Sequence, residues 1–519
     1  MKILKIGLPA FLYLMATHAL ASGASIYFNG DILTMEGDKP QYVEAVVVKG
    51  KKIAYVGNMQ EALNEAGANP DIQDLKGQTL IPGFIDAWGH FTLIAQNTLG
   101  VNLGYFSKKP PHTTQELIGR LKAETRPFNG WIIGAEYADA FLTDGPLTIA
   151  QLDEAFPNQP VFVNNISTLT GIVNSAGLKK LGITKSTKVV QGIIPVDPKT
   201  GKLTGELIGS PNISATAKVF GKSSQDLMME TYRKAEKIYA SNGFTTAQSY
   251  ETTLEDIRNM RQAVDRNVIS LDLIALPTYD VVDKLLETNQ NYPFGIYTRG
   301  DGGFKVAGIL VSTDGAPQLR LAYFTKPYAD TTGFPKDWRG MAVATQDLVN
   351  RYAKLAYEKN IQYYGYSNGD AGITKAIQET GITEDRRTLI AHSFFIRDDQ
   401  LDQYKTNKIL PQFMPNHIWM YGDVYRKILG EERASNMVPL NLAHTKGMQF
   451  GIHNDTPSSG PSAWFTIGTA VNRNIYGGGV LGPDQRIDPY LALRALISVP
   501  RLSIQGRGIK GQYHRWKAC

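Results

Sequence analysis

The stretch IPGFIDAWGHF, at positions 81–91, decides the fold prediction for this chain. Its apolar run follows a turn flanked by glycine, and Phe84 and Ile85 continue the run as a buried strand would. The polar residues that follow lead to His90. A histidine just past the C-terminal end of a short apolar strand is where α/β barrels place their chemistry. Because a lone histidine is more often structural, the prediction depends on partners at later strand ends.

Apolar strands and helical segments alternate after His90, which is typical of βα units. Residues 92–240 are interpreted as an insertion that covers the mouth of a barrel. With that insertion set aside, eight strands are predicted: the strand of the opening stretch, 244–247, 269–275, 304–311, 361–366, 388–391, 409–414 and 449–452. The fold prediction is therefore α/β, with strands at the spacing of a TIM barrel.

Polar side chains follow these strands at the points where they end. Four of the eight histidines in the chain are among them, and packing alone would scatter them. Converging His and Asp side chains favour a metal site or a general acid/base site. The candidates are His90, His392, His417, His453, Asp314, Asp370 and Asp455. Two alternatives stay open: Asp314 and Asp370 cap turns beside glycine, and His417 and His453 are structural rather than substrate-contacting.

The N-terminal 80 residues divide into a leader and a β layer. A basic start, an apolar run over 6–15 and the small-x-small triplet at 19–21 predict a signal peptide over 1–21. Residues 22–80 predict a small β-sandwich or barrel-like layer with a structural role. Later apolar runs are shorter than a membrane span needs. We therefore expect an exported protein, periplasmic or secreted, with no membrane span after leader cleavage.

The composition is that of a globular protein, with 43% apolar and 20% charged residues. The net charge of +6 comes from scattered basic residues, which argues against nucleic acid as a partner. The expected partner is a small-molecule substrate or ligand. The single cysteine, Cys519, allows no disulfide within the chain.

Nine short motifs together resemble the amidohydrolase superfamily, in particular its amidohydrolase-3 branch. That branch includes N-substituted formamide deformylase and bacterial exoenzyme-regulatory proteins. The motifs are PGFIDA at 82–87, VNSAGL at 173–178, LTGEL at 203–207, TDGAPQ at 313–318, NGDA at 368–371, IAHSFFIRDDQL at 390–401, MPNH at 414–417, HNDTP at 453–457 and LGPDQRI at 481–487. The resemblance implies a (β/α)8 barrel over 81–497, a β-sandwich built from both chain ends, and metal-dependent hydrolysis of amide-type bonds.

The resemblance also implies a ligand set, which this chain keeps only in part. Relatives use two histidines after strand 1, a lysine on strand 4, histidines after strands 5 and 6, and an aspartate after strand 8. His90, His392 and Asp455 are kept. The other positions hold Trp88, Leu310 and Tyr366, and Leu169 also stands where relatives carry histidine. Trp and Leu offer no lone pair to a cation, and neutral Tyr is a poor ligand.

Two functions follow from this reduced set. In the first, the chain hydrolyses carbon-nitrogen bonds other than peptide bonds, with one divalent ion, expected to be zinc, held by His90, His392 and Asp455. Asp455 would shuttle protons and His392 would act as ligand or electrophile. In the second, the barrel is catalytically silent, needs no metal, and regulates extracellular enzyme production or binds a small molecule.

Two further features are interpreted from the sequence. The aromatic residues Tyr105, Phe106, Trp131 and Tyr137 either line the pocket or belong to the core. Residues 498–519 are basic, and they lack the strand pattern with which relatives return to the β-sandwich. A truncated or frame-shifted end is the hypothesis for this tail.

Overall fold

The computed structural model describes residues 23–504, apart from 51, 108, 125, 190, 191, 222, 289–292, 301 and 378–383. The predicted leader lies outside these residues, as do residues 505–519 of the predicted tail. The chain divides into two compact units, with the boundary between Pro82 and Gly83. No helix in the described part of the chain is long and apolar enough to cross a membrane.

The first unit is a mixed five-stranded sheet with one helix. Its strands lie in the order β3-β2-β1-β4, and β5 pairs with β1. The elements are β1 Ala24–Leu33, β2 Tyr42–Lys49, β3 Lys52–Gly57, α1 Met59–Ala66, β4 Asp71–Asp74 and β5 Thr79–Leu80. Ile26 of β1 and Val47 of β2 face each other in the sheet and belong to a buried cluster with Ala62 of α1. The described residues give one sheet here, and the β-sandwich stays a prediction.

The second unit begins with a short strand and an insertion that has a sheet of its own. Six strands of the insertion lie in the order β11-β12-β10-β9-β8-β7. Side chains alternate between the two faces of this sheet, so that Ile132 and Ile133 enter different buried clusters. The elements are β6 Phe84–Asp86, α2 Phe91–Asn97, β7 Val101–Asn102, α3 Thr114–Ala123, β8 Ile132–Tyr137, α4 Ile149–Ala155, β9 Val161–Asn165, β10 Thr170–Val173, α5 Ser175–Leu181, β11 Gly192–Ile193, β12 Glu206–Gly209, α6 Ser210–Phe220 and α7 Gln225–Ala240.

The remaining strands pair in parallel and alternate with helices, as the sequence predicts. They form a four-stranded sheet, β15-β14-β13-β6, and a five-stranded sheet, β16-β17-β18-β19-β20. The elements are β13 Phe244–Tyr250, α8 Leu254–Asp265, β14 Asp272–Leu276, α9 Tyr279–Glu287, β15 Phe304–Val306, β16 Gly308–Ser312, α10 Gln346–Glu358, β17 Gln362–Ser367, α11 Asp370–Ala376, β18 Leu389–His392, α12 Asp398–Thr406, β19 Leu410–Phe413, α13 Asn416–Leu429, α14 Glu431–Ser435, α15 Leu440–Thr445, β20 Gly451–Ile452, α16 Ala463–Asn472 and α17 Pro489–Ile504. The last helix continues past the predicted domain end at residue 497.

The predicted fourth strand is two strands, β15 and β16, which belong to different sheets. The break falls at Ala307, whose N–H donates to the carbonyl of Ala275 at 2.8 Å. Gly308 then starts β16 at a place without room for a side chain, since a Cβ there would lie 2.1 Å from the carbonyl oxygen of Gln362. This close approach allows β16 to pair with β17.

Hydrogen bonds also join the first and last of these parallel strands just past their ends. The amide of Asp455 donates to the carbonyl of Trp88 at 3.1 Å, and the amide of His90 donates to the carbonyl of Thr456 at 2.8 Å. The chain segments that follow β6 and β20 are therefore held side by side.

Asn174, in the VNSAGL motif, is a buried anchor of the insertion, and its replacement tests that role. Its side-chain oxygen accepts from the amides of Val161 and Gly177, and its amide group donates to the carbonyls of Phe156 and Gln159, at 2.8–2.9 Å. Asn174→Ala is expected to lower the free energy of unfolding by about 3 kcal/mol, because buried backbone groups lose their partners. Chemical denaturation measures this loss.

The exposed residue Asn436, whose side chain makes one bond to a helix carbonyl, provides the matched control. Asn436→Ala should cost less than about 0.5 kcal/mol. Equal losses in the two variants would contradict the anchoring role of Asn174.

Candidate active site

The site is built where β6, β13, β17, β18 and β20 end, since parallel strands present their carboxyl ends at one edge. The residues it brings together are Trp88, His90, Tyr250, Tyr366, His392, His453 and Asp455. His392 and Asp455 have positive φ angles, 67° and 56°. Backbone conformations of this kind cluster at functional sites when the surrounding structure holds them in place.

His90 and Asp455 form the one close pair of a basic and an acidic side chain in this group. Nε2 of His90 lies 3.5 Å from Oδ1 of Asp455, and both side chains are nearly buried. Burial by itself raises the pKa of Asp455. The interactions with His90, His392 and His453 lower it by more, so that the pKa of Asp455 lies below its ordinary range. Asp455 is therefore ionised at neutral pH and can orient the His90 ring.

His392 and His453 are buried neutral imidazoles beside this pair. Their ring centres are 5.0 Å apart. Burial lowers the pKa of His453 to about 4 and places the pKa of His392 well below its ordinary value. Nδ1 of His392 has no hydrogen-bond partner among the described residues. A buried nitrogen of this kind is available to a ligand.

Trp88 stands between two tyrosines, and we name Tyr250, Trp88 and Tyr366 the ring column. Trp88 is fully buried. Its ring is nearly parallel to Tyr250, with centres 4.9 Å apart and planes at 26°, and to Tyr366, at 6.2 Å and 25°. Its ring also packs at a steep angle on His392 at 5.9 Å. Leu310 lies in the same buried apolar cluster.

The donor set does not fit the metal that the resemblance implies. His90 and Asp455 approach each other, but His392 does not complete a metal-holding group with them. Within the described ranges, no group of three or more His, Cys, Asp or Glu side chains is arranged to hold an ion. Apolar and aromatic side chains fill the positions of the missing ligands, so zinc has no assembled site here.

Sequence reasoning missed Asp86, which lies under the site. It is fully buried, and one carboxylate oxygen accepts from the hydroxyl of Tyr239 at 3.1 Å. Burial raises its pKa to about 8. Gly89 leaves the necessary room, since a Cβ there would meet this carboxylate at 2.3 Å. The signal in the sequence was a charged residue at the end of an apolar run.

His417 packs in the protein interior next to this site. A hydrogen bond of 2.8 Å joins its Nδ1 to the hydroxyl of Tyr425, and its ring stacks on Phe394 at 4.6 Å. Burial lowers its pKa to about 3. These contacts favour the structural alternative for His417.

The contacts of Asp314 favour the structural alternative. It is buried, and its carboxylate accepts from the backbone amides of Tyr323, Asn368 and Gly369 at 2.7–2.9 Å. The loop after β16 is thereby tied to the end of β17. The turn-capping alternative accounts for this residue.

Asp370 lines a different cavity from the one expected. Its carboxylate accepts from Arg397 and from the amide of Thr325, both at 2.9 Å. The cavity beside it has a volume of about 380 Å³ and is lined in part by Phe324, Phe395 and Arg433. None of the site histidines lines it. Asp370 therefore does not converge with His90 and Asp455.

The four aromatic candidates divide into two pairs. Trp131 and Tyr137 are buried in the two clusters of the insertion sheet and do not line a site. Tyr105 and Phe106 pack on Trp419 of α13, with ring centres 5.3 and 6.2 Å away. The second pair connects the insertion to the helix that follows β19.

Paired parallel strands with helices between them and polar side chains at their carboxyl ends define an α/β enzyme scaffold. The chain belongs to the amidohydrolase family, which it matches over residues 71–504. This membership supports a hydrolase of the amidohydrolase type.

Two proteins are similar along most of the chain. N-substituted formamide deformylase of Arthrobacter pascens is 24% identical over 504 residues, covering 92% of this chain and 89% of the relative. The structure of an uncharacterized metal-dependent hydrolase from Pyrococcus furiosus superposes with a TM-score of 0.73 at 20% identity, covering 95% of this chain and 97% of that one. At that identity the likeness shows the fold alone.

A third relative matches only part of the chain. The exoenzymes regulatory protein AepA of Pectobacterium carotovorum subsp. carotovorum is 26% identical over 273 residues, covering 49% of this chain and 56% of the relative.

Proposed function

We propose that this chain is an exported hydrolase of carbon-nitrogen bonds other than peptide bonds, acting on a small molecule. The contact between His90 and Asp455 carries the proposal, because it pairs an ionised carboxylate with an imidazole where parallel strands end. The likeness to a formamide deformylase supports the choice of bond. We also propose that the parallel strands close into a (β/α)8 barrel and that the N-terminal strands contribute to a β-sandwich.

His90 is the proton-transfer group in this reaction. Nε2 of His90 faces the carboxylate of Asp455 at 3.5 Å, so the other ring nitrogen serves as the base in this reaction. His90 takes a proton from water as the water oxygen bonds to the amide carbon. The proton then passes to the nitrogen as the carbon-nitrogen bond breaks, which gives a carboxylic acid and an amine. In this proposal Asp455 orients His90, whereas the sequence predicts it as the proton shuttle; its low pKa supports a carboxylate that stays ionised beside the imidazole.

His392 supplies the second contact in the reaction. In the tautomer with a proton on Nδ1, its unpartnered nitrogen donates to the oxygen that becomes negative as water attacks. Its low pKa keeps the imidazole of His392 uncharged at neutral pH. His453 lies next to it and fixes its ring by packing.

Asp455→Asn tests this arrangement directly. Without the carboxylate, His90 loses its orienting partner, so kcat/KM for N-formyl or N-acyl amines should fall by about 100-fold or more. Release of amine from a panel of such compounds measures the change. His112→Gln, which alters a histidine outside the site, is the control and should keep full activity.

Two results would contradict the proposal. One is the absence of amine release from every compound by the folded wild-type chain. The other is a kcat/KM in Asp455→Asn within about threefold of wild type.

Export is proposed from the leader pattern at residues 1–21. The basic start, the apolar run and the small-residue triplet support cleavage near residue 21. The mass of the mature protein recovered from the periplasm or medium tests this, and an uncleaved product would oppose it.

A silent barrel that binds a small molecule is the second candidate. The ring column favours it, because it fills positions where the resemblance places ligands. The AepA relative favours a regulatory role in extracellular enzyme production. Ligand-induced thermal stabilisation without turnover would select this candidate over the hydrolase.

A further inference from the structure

Two of the three rings in the column come from strand ends at which the resemblance expects metal ligands. Trp88 follows β6, Tyr250 ends β13, and Tyr366 lies near the end of β17. Trp88 and Tyr366 stand at two of the positions where the resemblance expects histidine. Stacked rings link β6 and β17, where the resemblance places metal ligands, and they also link β13.

Contacts extend from the column to the remaining strand ends. Tyr366 packs perpendicular to His392 of β18, with centres 4.7 Å apart. Trp88 approaches His453, just past β20, at 6.3 Å. Leu310 of β16 belongs to the buried cluster that contains Trp88. Five strand ends and the interior of β16 are therefore tied together by rings and one aliphatic side chain.

Two of the replaced positions also offer no ligand to an ion. Trp88 and Leu310 are fully buried and present no lone pair. His90 and Asp455 lie close together, but among the described residues neither His392 nor His453 completes with them a group of three that could hold an ion, and a catalytic zinc site keeps three protein ligands.

We infer that the ring column replaces the divalent ion as the element that fixes the strand ends, so that the folded chain requires no metal at this site. This inference does not depend on the proposed reaction. It applies equally to a hydrolase that works through His90 and to a silent barrel.

Metal content and metal dependence of folding test the inference. The full chain, produced in medium supplemented with zinc and manganese, is expected to hold less than about 0.1 equivalent of either after gel filtration. Its thermal midpoint should change by less than about 1 °C on addition of EDTA or zinc. Near-stoichiometric metal that disappears in Asp455→Asn would overturn the inference, and so would a clear loss of stability with EDTA.

Variants of Tyr250 test the structural half of the inference. Tyr250→Phe keeps the stacked ring and should leave the thermal midpoint within about 2 °C of wild type. Tyr250→Ala removes the ring and should lower it by roughly 5 °C, with no recovery on addition of zinc. An unchanged midpoint in Tyr250→Ala, or recovery with zinc, would overturn the role of the column. If Tyr250→Ala does not fold, a thermal midpoint of Tyr250→Phe far below that of the wild type would overturn the role of the column.

Discussion

Replacing Trp88 by alanine is expected to lower the free energy of unfolding by about 4 kcal/mol. The indole is fully buried between Tyr250 and Tyr366, so its loss combines lost apolar burial with a cavity that stacked rings cannot close. Trp88→Phe keeps an aromatic ring in the column and should lose less than half as much. Denaturant unfolding followed by circular dichroism measures both variants.

Trp464 is the matched control for this experiment. Its side chain is 63% exposed, although its ring touches Phe84. Trp464→Ala should cost less than about 1 kcal/mol. A Trp88→Ala loss as small as that of the control would show that the column adds little to stability.

Asp86→Asn should remove a pH dependence of stability. Burial raises the folded pKa of Asp86 to about 8 from an ordinary value of 3.8. The folded chain therefore binds a proton that the unfolded chain has lost between these values, and stability from this group falls as pH rises. Below pH 3.8 the contribution is fully present, and above pH 8 it is gone. Asparagine resembles the protonated carboxyl and does not titrate.

The measured quantity is the difference in unfolding free energy between wild type and Asp86→Asn at pH 5, 6, 7 and 8. For each pH unit of increase, the wild type should lose about 1.4 kcal/mol of unfolding free energy relative to Asp86→Asn. Asp347→Asn, at an exposed position, provides the control and should show a constant difference. A constant difference for Asp86→Asn as well would mean that Asp86 is ionised in the folded chain.

Much of the fold was predictable because each parallel strand is a short apolar run that ends in polar residues. The break at Ala307 was not, since apolar residues continue through it and only the close approach of Gly308 to Gln362 separates the two strands. The sheet of the insertion was missed in part, because strands as short as Val101–Asn102 leave no periodic pattern.

The site was predictable as a place but not as a set of contacts. Topology brings the ends of parallel strands together, which is why His90, His392 and Asp455 were identified. Which of these side chains meet depends on the direction in which each points. That direction follows from the positive φ of His392 and Asp455, which residue type does not predict. Asp314 shows the converse, since a charged residue at a strand end accepts from backbone amides and from the side chain of Asn368.

The position of the insertion has a consequence for how the chain folds. Phe84 of β6 pairs with Phe244 of β13, at a sequence separation of 160 positions (244 − 84). Closing so long a loop is slow, because its entropy is lost before the pairing contributes any stabilisation. The insertion sheet, with a buried cluster on each face, can form first from local contacts and shorten the effective loop. The order of assembly would then run from the middle of the chain outward, with the first parallel strand among the last to join.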